Sequence, residues 1–185
     1  MADMSSATRL HPLRADRQSG RTVSVTPAGD ATRISLRARP DAVAKLSRLL
    51  GLSLPTRPKS TAIAKDGRAA LWLGPDEWLL IDGPDSDVAA VLARADVLHS
   101  AVDVSHRNVG IIVSGEGADR TISGGCPQDL SLAAFPVGAA SRTVLGKIEV
   151  IVWRTGEDSF RIECWRSFSE YAYSFLQESA KDCGI

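Results

Sequence analysis

Leu73-Gly74-Pro75-Asp76-Glu77-Trp78-Leu79-Leu80 (residues 73–80) sets a turn between two apolar runs, and Gly156-Glu157-Asp158-Ser159-Phe160 (residues 156–160) sets a similar turn in the second half of the chain. Working outward from the first, residues 62–64 and 69–73 flank Asp66-Gly67 and predict a hairpin, because Asp-Gly tolerates the positive φ angles of a tight turn. Residues 78–81 add a strand. Upstream, Ile34 and Leu36 alternate with polar positions in residues 32–38, another strand. Pro40 and Asp41 open a helix with Val43, Leu46, Leu49 and Leu50 on one face, and Gly51 is placed as its left-handed cap. Downstream, Pro84 starts a second helix with a stripe of Val88, Val91, Leu92 and Ala95.

Around the second turn the same grammar returns. Residues 109–113 read as a strand, 116–122 as a helix, and 141–145, 148–153 and 159–164 as three strands. A final helix follows, with Ser167 and Glu170 as a capping box and Phe168, Tyr171, Ala172, Phe175 and Leu176 on one side. Tyr173 lies about 140° from Phe168 around that helix and is expected to face away from the core. The order strand, helix, three strands, helix thus occurs twice, in residues 34–95 and 111–180. The expected fold is α+β: two pseudo-symmetric β-α-β-β-β-α units with mostly antiparallel sheets and helices packed on them, since several connections are too short for a crossover. The expected organisation is a flexible N-terminal arm over 1–20, a first unit over 21–100 and a second over 101–185, the two units forming one compact body. Arg9, His11, Arg14 and Arg17 without apolar periodicity mark the arm.

Composition narrows the function. Among 185 residues, 44% are hydrophobic, enough for a core, and 22 Lys and Arg balance 22 Asp and Glu, so no net field attracts nucleic acid or an anionic membrane. No signal-peptide core or membrane-spanning run stands in the sequence, so a cytoplasmic protein is expected. Cys126, Cys164 and Cys183 match neither a disulfide framework nor a zinc pattern, and His11, His99 and His106 are too far apart to gather a metal on one element. Cys126 has no cationic sequence neighbour to lower its pKa and is expected to be buried packing.

Two apparent catalytic motifs fail on spacing. Gly115-Glu116-Gly117 precedes a helix, but Arg120 stands where a dinucleotide loop needs its third glycine. Asp103, Ser105 and His106 are hydrolase residue types, yet strand alternation puts Asp103 and Ser105 on one face and His106 on the other. The indoles Trp72 and Trp78 are expected in the core, whereas Trp165 and Tyr173 are candidates for a protein interface.

Val102-Asp103-Val104-Ser105-His106, Ile112-Val113-Ser114-Gly115 and Asp129-Leu130-Ser131 resemble the folate-dependent aminomethyltransferases, the T-protein family of glycine cleavage. Residues 73–80 with Asp129-Leu130, Phe135-Pro136-Val137-Gly138, Arg142-Thr143 and Arg166-Ser167-Phe168 are similar to the gamma-subunit family of heterotetrameric sarcosine oxidase, over nearly the whole folded chain. That resemblance implies alpha, beta and delta partner subunits that oxidise sarcosine and pass its methyl carbon to tetrahydrofolate. It also implies that FAD, FMN, NAD and zinc belong to those other subunits, with no catalytic residue, cofactor or metal in this chain.

The departures point the same way. In the aminomethyltransferases an acidic strand start engages the folate-bound amine, but here Ile148 and Glu149 follow the short turn Gly146-Lys147. A glutamate displaces the acid by about one methylene, a costly error in proton transfer. The sequence therefore reads as a noncatalytic structural subunit, with Arg142, Trp165, Arg166 and Tyr173 at the partner interface. The competing expectation is a free-standing folate-binding one-carbon transferase with Asp103, Glu149 and Trp153 lining the pocket.

Overall fold

Residues 11–13 and 22–183 are described by the computed structural model. Its architecture follows from strands that are apolar on both faces. In β4 (Ala69–Gly74), Ala69 and Leu71 point to one side, while Ala70 and Trp72 point to the other. In β5 (Glu77–Asp82), Leu79 and Ile81 oppose Trp78 and Leu80 in the same way. A strand with two apolar faces must be covered twice.

The first sheet has the order β3 (Thr61–Ile63), β4, β5, β2 (Thr32–Ala38), β6 (His99–Asp103), and all its pairings are antiparallel. The second has the order β1 (Val23–Pro27), β7 (Asn108–Gly115), β10 (Ser159–Trp165), β9 (Ile148–Gly156), β8 (Ala140–Leu145), again antiparallel throughout. Helices α1 (Pro40–Leu50) and α2 (Val88–Ala93) bury Leu46, Leu50, Val88 and Leu92 against Ile34, Leu36, Trp78 and Leu80 of the first sheet. On the second sheet, α3 (Ala118–Ser123) and α4 (Ser169–Asp182) bury Ile122, Ala172 and Leu176 against Val25, Ile111, Val113 and Phe160. Between the sheets lies a third cluster of Leu71, Leu79, Ile81, Ile151 and Trp153. The layers therefore run helix, sheet, sheet, helix, and each fully buried leucine contributes about 2 kcal/mol to holding them together.

The order strand, helix, three strands, helix occurs twice, as β2-α1-β3-β4-β5-α2 and β7-α3-β8-β9-β10-α4. The fifth strands were not anticipated. β1 precedes the first run in the chain but pairs with β7 of the second, and β6 closes the first sheet beside β2. A division at residue 100 is therefore not the division between the sheets, because β1 belongs to the second and β6 spans that point.

Local signals explain most element ends. Pro40 occupies the first turn of α1, and Gly51 takes φ 68° so that its N–H donates to the Arg48 carbonyl. Gly67 takes φ 93° in the β3–β4 hairpin. Three expectations need correction. Pro84 does not start a helix: its carbonyl accepts the Thr32 hydroxyl, Ser86 accepts the Val88 N–H, and α2 begins only at Val88. Ser167 does not cap α4, because residues 166–168 form a 3-10 turn and the helix starts at Ser169. Leu49, placed on the buried face of α1, is 40% exposed.

The buried stripe of α4 is Ser169, Ala172, Tyr173, Leu176 and Ala180, rotated by about one residue from the expected one. Tyr173 therefore faces inward, and its hydroxyl donates to the Val25 carbonyl of β1 at 3.3 Å. The flexible arm expected over 1–20 is corrected at Leu13, which is buried in the core of the second sheet. The rest of that segment, residues 1–10 and 14–20, lies outside the described residues.

Candidate partner interface

Strand β10 ends at Trp165, opposite Asn108 of β7, and the chain then turns sharply. The Arg166 backbone N–H donates to the Arg107 carbonyl at 2.6 Å, which pins the turn to the loop entering β7. Ser169 donates its hydroxyl to the Arg166 carbonyl at 2.8 Å, tightening the 3-10 turn before α4. This geometry brings aromatic rings to the surface. Trp165 and Phe168 stack at 6.1 Å with 19° between ring planes, and the Arg107 guanidinium lies 5.4 Å from the Trp165 ring.

Trp165, Phe168 and Tyr171 are 43%, 40% and 41% exposed, and they are the exposed aromatic side chains of the described residues. All three fall within seven positions of sequence. Beside them an open groove of about 520 Å³ is lined by Pro12, Arg107, Trp165, Arg166, Ser167, Ser169 and Glu170. Aromatic residues and arginine are both enriched at protein interfaces relative to the rest of a protein surface.

The other predicted interface residues are placed differently. Arg142 on β8 turns its fork inward to Glu77 on β5, with Nη2 2.5 Å from Oε1 and Nη1 3.2 Å from Oε2. Arg37 donates to the same carboxylate at 2.9 Å. The Arg142 hydrogen bond, acting against desolvation and aided by the charges of Arg142 and Arg37, holds the Glu77 carboxyl below its ordinary range. Arg142 thus ties the two sheets to one another, and the buried Tyr173 presents no interface surface.

The alternative pocket residues are not gathered. Glu149 is exposed and lies 3.8 Å from Arg142, at the rim of a cavity of about 30 Å³ between the sheets, room for about two water molecules. Asp103 ends the exposed edge strand β6 and accepts the Ser105 N–H at 2.8 Å. Trp153 is buried in the cluster between the sheets, its indole N–H without a protein acceptor among the described residues.

Ser105 and His106 do not continue a strand, contrary to the alternation argument. They form the turn between β6 and β7, where Ser105 Oγ accepts the Arg33 N–H at 2.8 Å and His106 is exposed. Gly115 and Gly117 take φ 110° and 95°, a strand-to-helix turn leading into α3. Cys126 is buried in the core of the second sheet, as expected. Among the described residues no group of three or more His, Cys, Asp or Glu could hold a metal ion. No helix among them is long and apolar enough to cross a membrane.

Sequence reasoning missed Arg33, Glu163 and Arg161. Arg33 of β2 and Glu163 of β10 pair through Nε and Oε2 at 2.6 Å, and Arg161 Nε reaches Glu163 Oε1 at 2.7 Å. Their only sequence signal is a charge at a strand position flanked by apolar neighbours, which an exposed face also produces.

Comparison with known proteins gives first a fold class. The aminomethyltransferase T of the glycine cleavage system from Bartonella henselae superposes with a TM-score of 0.64 at 14% identity, over 89% of this chain and 50% of that one. The fold is therefore that of the aminomethyltransferases. A chain of the heterotetrameric sarcosine oxidase from Corynebacterium sp. U-96, in complex with pyrrole 2-carboxylate, superposes with a TM-score of 0.85 at 30% identity, over 91% of this chain and 90% of that one. The sarcosine oxidase subunit gamma of Corynebacterium sp. (strain P-1) is 34% identical over 182 residues, covering 96% of this chain and 90% of its own length. That of Arthrobacter sp is 34% identical over 176 residues, covering 93% and 87%. The model of the sarcosine oxidase gamma subunit family matches residues 35–182, and the chain belongs to that family.

Proposed function

We propose that this chain is a noncatalytic structural subunit of a cytoplasmic sarcosine oxidase complex. Oxidative demethylation of sarcosine, and transfer of the methyl carbon to tetrahydrofolate, take place on the alpha, beta and delta subunits, which carry FAD, FMN, NAD and zinc. The present chain supplies a rigid four-layer body. The observation that carries this reading is the confinement of the exposed aromatics to residues 165–171, beside Arg107 and Arg166. Aromatic area left in water is unfavourable for a free monomer and favourable for a docked one.

Trp165 and Arg166 are the residues of the expected interface that this reading retains. The glutamate at position 149 supports the noncatalytic role, because its carboxylate is exposed beside Arg142 rather than aimed into a water-free pocket. Co-expression with the other three subunits, followed by size-exclusion chromatography, tests the proposal. The expected result is a flavin-coloured assembly containing this chain. Its recovery as a colourless monomer, or turnover of sarcosine with reduced folate by the purified chain alone, would overturn it.

A further inference from the structure

Strand β6 is an edge of the first sheet, and its free side carries main-chain groups set at strand spacing. The Val104 N–H donates to the Arg33 carbonyl, and residue 104 continues the register in which Val102 stands opposite Ser35 and Ser100 opposite Arg37. Bonded pairs alternate along an antiparallel ladder, so Ser100 and Val102 turn their N–H and C=O toward β2, while His99 and Ala101 turn theirs outward. Among the described residues no backbone hydrogen bond reaches those outward groups. Such a row of unpaired donors and acceptors is a template for a further strand.

The other three edges are each met by another part of the same chain. The Val25 carbonyl of β1 accepts the Tyr173 hydroxyl, Thr61 of the short β3 donates its hydroxyl to the Gly138 carbonyl, and Ala140 of β8 donates its N–H to the Lys59 carbonyl. β6 also lacks the devices that blunt an edge: residues 98–103 contain no proline or lysine, and the pairing with β2 runs without a register shift. Between His99 and Asp103 its side chains are small, and Ser100, Ala101 and Val102 are all exposed. Val102 is 52% exposed, and Leu98, just before the strand, is 74% exposed. Val102 shares the face of its cross-strand neighbour Ser35, which lines the cleft between the sheets together with Arg107 and Trp165.

Resting on the subunit reading above, we propose that β6 is extended by a strand of a partner subunit, which adds a sixth strand to the first sheet and lays an apolar side chain across Val102. The main-chain bonds of His99 and Ala101 fix the register of the added strand, and Val102 and Leu98 give up apolar surface to it. A second copy of this chain is the poorer occupant, because a tetramer of alpha, beta, gamma and delta subunits holds one β6.

The outward N–H of Ala101 makes the test selective. Proline is tolerated on an edge strand where its missing N–H faces water, so Ala101→Pro is expected to leave the chain folded and to lower its retention in the co-expressed complex by about tenfold or more. Ser100→Pro deletes a bond to β2 instead and is expected to destabilise the isolated chain. Should Ala101→Pro unfold the chain as well, hydrogen exchange of the unsubstituted protein decides. The amides of Ser100 and Val102 are expected to exchange slowly in chain and complex alike, whereas those of His99 and Ala101 exchange freely in the purified chain and about tenfold or more slower in the complex. Unchanged retention of folded Ala101→Pro, or unchanged exchange at Ala101 on assembly, would overturn the proposal and leave the subunit reading intact. So would slow exchange at Ala101 in the purified chain, which would assign the edge to this chain's own residues or to a second copy. Failure of the unsubstituted chain to assemble would overturn both.

Discussion

Arg33 and Glu163 join the two sheets through a doubly hydrogen-bonded ion pair, with Nε 2.6 Å from Oε2 and Nη2 3.1 Å from Oε1. Both side chains are almost wholly buried. Arg33 also donates to the Ala31 carbonyl, and its backbone N–H is held by Ser105, so the pair is locked at both levels. Removing one partner from such a pair costs about 3 to 5 kcal/mol, because the other charge remains buried and unpaired. Glu163→Gln is therefore expected to lower the free energy of unfolding by about that amount, measured by urea denaturation. Arg33→Met combined with Glu163→Leu should be more stable than Glu163→Gln alone. An unchanged midpoint for Glu163→Gln would refute the role assigned to the pair.

Gly110 of β7 makes room for this cluster. A Cβ there would stand 2.8 Å from Glu163 Oε1 and 2.9 Å from the Ala28 Cβ, closer than real Cβ atoms come. Neither neighbour can withdraw, since Glu163 is fixed by two arginines and Ala28 donates its N–H to the Gly110 carbonyl. Gly110→Ala is expected to destabilise the chain by about 1 to 3 kcal/mol. Its effect should be clearly less than additive with Glu163→Gln, because both act on one cluster. Full additivity in a double-mutant cycle would show that the two sites are independent.

Glu77 ties the sheets together nearer the surface, and it does so in a pH-dependent way. Its folded-state pKa lies below the ordinary 4.5, chiefly through the hydrogen bond from Arg142. A depressed carboxyl pKa means that the unfolded chain binds the proton more readily. The stabilisation is therefore complete above about pH 4.5 and is lost as pH falls through the folded-state value. Glu77→Gln should cost about 2 kcal/mol near pH 7, with the two stability curves converging on acidification. A gap that stays constant down to pH 3 would contradict this assignment.

The strands with one dominant partner face were legible in the sequence, and the exceptions share a physical cause. Residues 32–38, 69–73, 109–113 and 159–164 alternate or run apolar because one face is covered by helices and, where the strand is apolar on both sides, the other is covered by the facing sheet. β6 was invisible because nearly all of it is exposed, leaving no apolar stripe to read. β1 does carry Val23 and Val25 in alternation, but its partner β7 lies more than eighty residues away, beyond any local pattern. The exposed aromatic patch was half legible. Trp165, singled out as an interface candidate, is exposed, while Phe168 and Tyr171, placed on the apolar side of the helix because aromatic rings at helical spacing resemble a buried stripe, are exposed as well. The same resemblance turned Tyr173 outward, when β1 covers it.

That rotation of the stripe can be measured. Leu176 is fully buried, whereas Phe168 is 40% exposed, so their truncations should differ sharply. Leu176→Ala is expected to cost about 3 kcal/mol. Phe168→Ser should stay within about 0.5 to 1 kcal/mol in the isolated chain, the loss coming from its stack on Trp165. Equal destabilisation by the two would place Phe168 back in the core.

The three thiols give a last check on packing. Cys164 sits on β10 between the buried Glu163 and the end of the strand, and burial, aided by the Glu163 charge and opposed by Arg33, pushes its pKa up to about 12. Since the thiolate is the nucleophile, roughly one molecule in ten thousand is reactive at pH 8 even where a reagent can reach it. Cys126 is buried in the core of the second sheet with its sulfur 3.8 Å from the Thr143 hydroxyl, so the packing around it keeps a reagent out. Cys183, just past the end of α4, is only partly covered. A disulfide-exchange reagent at pH 8 should therefore modify one thiol per native chain, at Cys183, and three after denaturation. Rapid labelling of Cys164 in the native chain, located by peptide mapping, would mean that the end of β10 beside Trp165 opens far more often than its packing allows.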